Sequence, residues 1–283
     1  MMKHWIKTAA LAMGIAVTGV SAADYMPAEE IRERLEEILT RSGGQVSYFE
    51  GPSGMIGVGV TMRNGQQMVF YATPDGETVF SGVAVNARTG ENRTRADMEQ
   101  LPAPDYEPIF RRLENALRTV EGEDATQAMV AAREGTEGGE NVFYVFIDPR
   151  CPFCHSLKQA FDQVKAQGHE LSVHYIPIGI LGQDSRMLAS AMAASPPDTA
   201  VRIFMAAADR NFRVGNQELA ARGEGRAGAN LAMFRELGFE AVPVVISHAA
   251  GEFKARAGGM TAEMIERSIM GSEVAIADDR RRP

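Results

Sequence analysis

Residues 151–155 read CPFCH. Two thiols separated by two residues can cycle between a dithiol and a disulfide, and a following histidine also completes the C-x-x-C-H pattern to which c-type haem is attached. In the first chemistry one cysteine attacks a disulfide as its thiolate and the other resolves the mixed disulfide. In the second, His155 is the proximal iron ligand and a distal Met or His comes from a mainly helical domain. Sixteen methionines make such a ligand easy to supply. Cys151 and Cys154 are the only cysteines in the chain, and with His155 they offer three ligands from one turn, short of a structural zinc tetrahedron. The dithiol reading calls for no metal and no cofactor.

The elements around the motif bear on the choice. "NVFYVFID" is a continuous apolar run of the buried-strand type and leads straight into Cys151. Pro152 suits the first turn of a helix that continues through "FCHSLKQAFDQVKAQG", with Leu157, Phe161 and Val164 on its inner face and Gly168 as a stop. "ELSVHYIPIG" is a second buried strand, so the order strand, helix, strand implies parallel strands with a crossover. Cys151 then sits where a helix begins, among unpaired N–H groups and the positive end of the dipole, which lowers a thiol pKa. Cys154 lies one turn further in, placed to resolve. This setting favours the dithiol over haem, and on it His155 is an exposed residue of the active-site helix. Pro243 in "AVPVVIS" cannot donate to a strand ladder and belongs at a strand's first position or at an edge.

The remainder divides by composition. "MMKHWIKTAALAMGIAVTGVSAADYM" has a basic start, a short apolar run and small residues at Ser21–Ala23, the layout of a cleaved secretory signal over residues 1–23. Export to a periplasm, where disulfides persist, follows. Beyond residue 23 there are 27 basic and 37 acidic residues, a net charge of −10. An acidic surface argues against nucleic acid as a partner. Residues 24–100 read as one helix (Ile31, Leu35, Ile38, Leu39) on a meander turned at Asn64-Gly65 and Pro74-Asp75-Gly76. A core that small gains stability by pairing with a second copy. Residues 101–140, with prolines 102, 104 and 108, read as a linker-helix region, with a second helical piece running to about Arg133. Residues 141–272 form the catalytic domain, with helices over 183–238 interrupted by a flexible "ARGEGRAGAN", and 273–283 a tail. Met55, Met62, Met68 and Phe70 could offer an adaptable apolar surface to clients without redox turnover, the property of a dimeric holdase chaperone or assembly factor. At alternating strand positions they also read as core filler.

Together, "VFYVFIDPRCPFCHSLKQAF", "AVPVVIS", "GGMTAEMIERSIMG" and "TPDGETVFSGVAVNARTGEN" resemble the periplasmic disulfide isomerases of the DsbC/DsbG family, and "IGILGQDSRMLASAMAAS" is closer to DsbG. The resemblance implies a mixed α+β and α/β architecture: a cystatin-like dimerisation domain, a linker helix, and a thioredoxin-fold catalytic domain with a helical insertion. It implies a V-shaped homodimer whose dithiols face a cleft for misfolded or oxidised exported proteins, kept reduced by a membrane reductase of the DsbD type. By motif, Cys151 is the attacking thiol and Cys154 the resolving one, with Pro152 and Phe153 between them. Val242 and a cis Pro243 form the substrate-facing loop. The chain departs from the family pattern in three places. Val242 stands where Thr is usual, Phe153 lacks the phenol of the Pro-Tyr pair, and no second cysteine pair is present.

Overall fold

The computed structural model describes residues 25–41, 43–118, 126–136 and 138–271. The signal-peptide and tail expectations lie outside these residues. The chain forms two compact units that meet in sequence at Pro102: one runs to Val60 and resumes over Gln67–Pro102, the other holds Thr61–Gln66 and everything from Ala103.

In the first unit, α1 (Glu29–Leu39) starts with two acids in its first turn, where the helix dipole favours them, and ends at Thr40, whose N–H still reaches Glu36. Four strands lie side by side in chain order: β1 (Gly44–Glu50), β2 (Ile56–Met62), β3 (Gln67–Ala72) and β4 (Val79–Ser81). Leu35 of α1 is fully buried, and Tyr48 of β1 donates its hydroxyl to Glu36 of α1 at 3.2 Å. Gly57 in β2 is required by packing, since a Cβ there would sit 2.2 Å from the Phe49 ring. A short α2 (Arg93–Met98), capped by the Asn92 side chain, brings Asp97 under the sheet. Asp97 is buried, accepts from the Tyr71 hydroxyl at 2.7 Å and pairs with Arg93 at 2.9 Å. Met55, Met62, Met68 and Phe70 are all half-buried, so each contributes part of its side chain to packing as well as to the surface.

The second unit is a five-stranded sheet in the order β5 (Ala132–Gly135), β7 (Ser172–Pro177), β6 (Val142–Ile147), β8 (Val244–Ala249), β9 (Glu252–Ala257). β6 and β7 are parallel, joined by α4 (Pro152–Ala166), and the other pairings are antiparallel. Side chains alternate between two cores, which is why β6 reads as unbroken apolar sequence. Phe143, Val145 and Ile147 pack with Cys154, Leu157 and Phe161, whereas Tyr144 and Phe146 pack with Ile109, Phe110 and Phe234 on the opposite face. α8 (Ala262–Met270), capped by Thr261, closes the first face. Between β7 and β8 lies a helical insertion of α5 (Gln183–Ala193), α6 (Pro197–Ala206) and α7 (Gln217–Glu236).

Two stretches differ from expectation. Of the linker-helix region 101–140, the described residues from Ala103 onward belong to this unit. α3 (Glu107–Ala116) buries Leu113 completely and sets Phe110 4.9 Å from the Tyr144 ring, and β5, whose first two residues Ala132 and Arg133 read as the end of a helix, pairs antiparallel with β7. Sheet pairing outweighs the local helical composition of that stretch; residues 119–125 lie outside the described part. Nor does "ARGEGRAGAN" interrupt anything, because α7 runs through it as one helix of 20 residues. Gly223 faces α5 so closely that a Cβ would stand 1.8 Å from the Ser190 carbonyl oxygen, and close helix packing offsets the propensity cost of glycine.

Candidate active site

β6 ends at Ile147, and Asp148-Pro149-Arg150 turn the chain into α4, with Cys151 as N-cap and Pro152 at the first helical position. Proline there loses no helix hydrogen bond and supplies the required φ. Both cysteines are free thiols. Cys151 is 4% exposed and Cys154 fully buried, so only the outer sulfur borders solvent. Val242-Pro243 is a cis peptide, Pro243 is buried, and the carbonyl of half-buried Val242 lies 3.7 Å from Cys151 Sγ. Pro243 immediately precedes β8, and its own carbonyl accepts from Gly258 N–H at 2.8 Å. Pro152 and Phe153 are exposed, Phe153 at 71%. Residues 91 apart in sequence are thus brought together at one sulfur.

The two thiols are driven in opposite directions. Cys151 is lowered to about 6, first by the hydrogen bond from the Cys154 thiol and then by the N–H groups of Cys154 and Phe153, against burial and the Asp148 carboxylate, which raise it. Cys154 is pushed far up, chiefly by burial and then by its bond to Cys151. The two partners of Cys151 Sγ belong to different protonation states: the thiol donates to Val242 O, and the thiolate accepts from Cys154 and the helix N–H groups. Near neutral pH the outer sulfur is a nucleophile while the inner one remains protonated.

His155 is not exposed as expected. It is buried, its Nε2 lies 2.9 Å from the Pro149 carbonyl, and its ring stacks on Phe204 at 4.5 Å. Because a carbonyl can only accept, Nε2 carries the proton, and burial first of all keeps the imidazole below its usual pKa. A ring committed in this way beside a fully buried Cys154 does not suit haem attachment, which needs both sulfurs accessible and the imidazole free for iron.

Three residues that sequence reasoning missed complete the turn. Asp148 is fully buried, with one carboxylate oxygen accepting from Arg150 N–H at 2.8 Å and the other from Ile180 and Leu181 N–H at 2.8 and 3.0 Å. Arg150 reaches into the helical insertion, where Asp184 receives its Nε at 2.7 Å. The adjacency of Asp148 and Arg150 to Cys151 was visible, but Ile180 and Leu181, which bond Asp148, and Asp184, which bonds Arg150, lie more than 30 residues away with no local pattern to mark them. A cavity of about 510 Å³ opens beside them, lined among others by Arg150, Pro152, His155, Leu181 and Asp184.

Residues 127–269 match the family model of the thioredoxin-like domain. The thiol:disulfide interchange protein DsbG of Pseudomonas aeruginosa is 25% identical over 238 residues, 83% of this chain and 86% of that one. DsbG of Escherichia coli K12 is 27% identical over 171 residues, 59% of this chain and 62% of that one. A solved structure, the catalytic domain of Proteus mirabilis ScsC, is 15% identical and covers 59% of this chain and 100% of its own, with a TM-score of 0.44. With its dithiol at the head of a crossover helix and half its length matched, the chain belongs to the thioredoxin-like family, among thiol:disulfide interchange proteins of the DsbC/DsbG type.

Proposed function

We propose that the protein is a periplasmic thiol-disulfide oxidoreductase and isomerase that reduces or reshuffles disulfides in exported proteins. One observation carries this reading: a low-pKa thiol at a helix N-terminus, 3.7 Å from the carbonyl that precedes a cis proline. The Val242 carbonyl and the buried Pro243 give an extended client a backbone edge beside the sulfur. Pro152 and the exposed Phe153 are the other substrate-facing residues.

The chemistry balances as follows. Cys151 thiolate attacks one sulfur of a client disulfide; the client S–S bond breaks, a mixed disulfide forms, and the second client sulfur leaves as a thiolate that takes up a proton. In reduction, Cys154 gives up its proton and attacks Cys151 Sγ. A Cys151–Cys154 disulfide forms, and the client departs with two thiols and two more electrons. In isomerisation a client thiolate attacks the mixed disulfide instead, restoring Cys151 with no net electron transfer. The high pKa of Cys154 slows the reductive exit and gives the client time to rearrange. Electrons for repeated reduction come from a membrane reductase of the DsbD type.

The first unit is the dimerisation domain. Its last strand, β4, is a sheet edge on which Phe80 is exposed, with Val83 and Val85 exposed just after it. Such an edge invites pairing with another chain, and two copies would hold two dithiols in one assembly. Replacing Cys154 with Ala should trap client proteins on Cys151 as mixed disulfides in periplasmic extracts, and replacing Cys151 should abolish them. Absence of adducts from the Cys154→Ala chain would sink the enzyme reading.

A further inference from the structure

We propose that Arg150 is a positioning residue for thiol-disulfide exchange: its guanidinium locks the turn that ends in Cys151 onto the helical insertion, and the reactivity of Cys151 depends on that lock. The inference rests on Cys151 being the nucleophile.

Every nitrogen of the guanidinium is used. Nε donates to Asp184 Oδ2 at 2.7 Å, and Nη2 lies 2.7 Å from the same oxygen. Nη1 donates to the carbonyls of Ala207 and Asp209, both at 2.7 Å, and Nη2 to that of Phe212 at 2.5 Å. The side chain is 13% exposed, so these contacts face little competition from water. Asp184 stands in the first turn of α5 and Ala207 is the C-cap of α6. One cation therefore joins the start of one insertion helix to the end of another, with each charge on the side that the helix dipole favours. A planar fork with five N–H groups suits this set of acceptors, and an ammonium does not.

The consequence for chemistry lies in the neighbouring residue. Cys151 is kept ionised by the Cys154 thiol and by the N–H groups of Phe153 and Cys154, contacts that demand a fixed N-cap geometry. On one side of Arg150, Asp148 fixes the turn through Ile180 and Leu181; on the other, the side chain of Arg150 ties it to Ala207, Asp209 and Phe212. Without it, the turn and the insertion lose their common anchor, and the sulfur leaves the position in which all its donors converge. Misplacement on that scale costs reaction rate.

The test compares the parent chain with R150A, R150K and D184A, following alkylation of Cys151 against pH and turnover of a disulfide-bonded client. Cys154 stays silent, being fully buried and held protonated. Relative to the parent, R150A should shift the midpoint upward and cut kcat/KM for the client by about tenfold, with circular dichroism unchanged. R150K should recover part of the loss. D184A separates position from charge: it leaves the cation in place, so a purely electrostatic effect would move the midpoint down, whereas a broken lock moves it up. If R150A does not fold, R150K and D184A carry the test. Superimposable pH profiles for the parent and the folded variants, or a downward shift in D184A, would overturn the inference. A parent chain without a reactive thiol at Cys151 would instead remove the functional reading beneath it.

Discussion

The edges of the two sheets are built differently. In the second unit, edge strand β9 places Lys254 and Arg256 outward, and the opposite edge, β5, exposes Arg133. Charged edges discourage pairing with another chain. In the first unit, β4 ends the sheet with Phe80 exposed at 49%, followed by Val83 at 67% and Val85 at 55%. The same chain thus protects the sheet that carries the chemistry and leaves apolar surface on the sheet that does not. The contrast separates two demands, a closed core that holds sulfur geometry and an open edge that a second copy can complete.

The largest expected effect is in the closed core. Phe161 is fully buried between Phe143, at 5.2 Å, and Tyr175, at 6.5 Å, so Phe161→Ala should cost about 3–5 kcal/mol in denaturant unfolding. Tyr71→Phe in the first unit leaves buried Asp97 without its 2.7 Å donor and should cost about 1–3 kcal/mol by the same measurement. Phe80→Asp should change monomer stability by less than about 0.5 kcal/mol while halving the mass found by sedimentation; an unchanged mass would mean that β4 is not the pairing edge. Phe153→Ala, at an exposed site beside the sulfur, should leave stability within about 0.5 kcal/mol and weaken KM for protein clients with little effect on alkylation of Cys151.

Much of the site was legible because its signals are local. The apolar run of β6, the proline at the first position of α4 and the two-residue spacing of the thiols each act within a few residues, and they placed Cys151 at a helix start. Pro243 was legible because a proline at the head of an apolar strand has few places to go. What escaped depends on partners distant in sequence. Gly223 reads as a helix breaker until Ser190 stands against it, and Ala132 reads as helix until β7 offers a ladder. His155 reads as exposed until Phe204 covers its ring. Arg150 gives no sign of acceptors at 184, 207, 209 and 212.

Folding is linked to the same sulfur. The folded-state pKa of Cys151 lies below that of an unfolded thiol, so its thiolate stabilises the reduced fold at pH values above the unfolded value and that contribution fades as pH falls toward about 6. The reduced form should therefore gain stability over the oxidised form as pH rises from about 6 to about 9, the ordinary value for the thiol. Equal pH dependence of the two forms would contradict this.

Titration of Cys151 in the reduced protein, by the ultraviolet absorbance of its thiolate, tests the central claim most directly. The site as described requires a midpoint near 6, absent in Cys151→Ala. A midpoint near 9, the value of an ordinary thiol, would show that the start of α4 does not activate this sulfur.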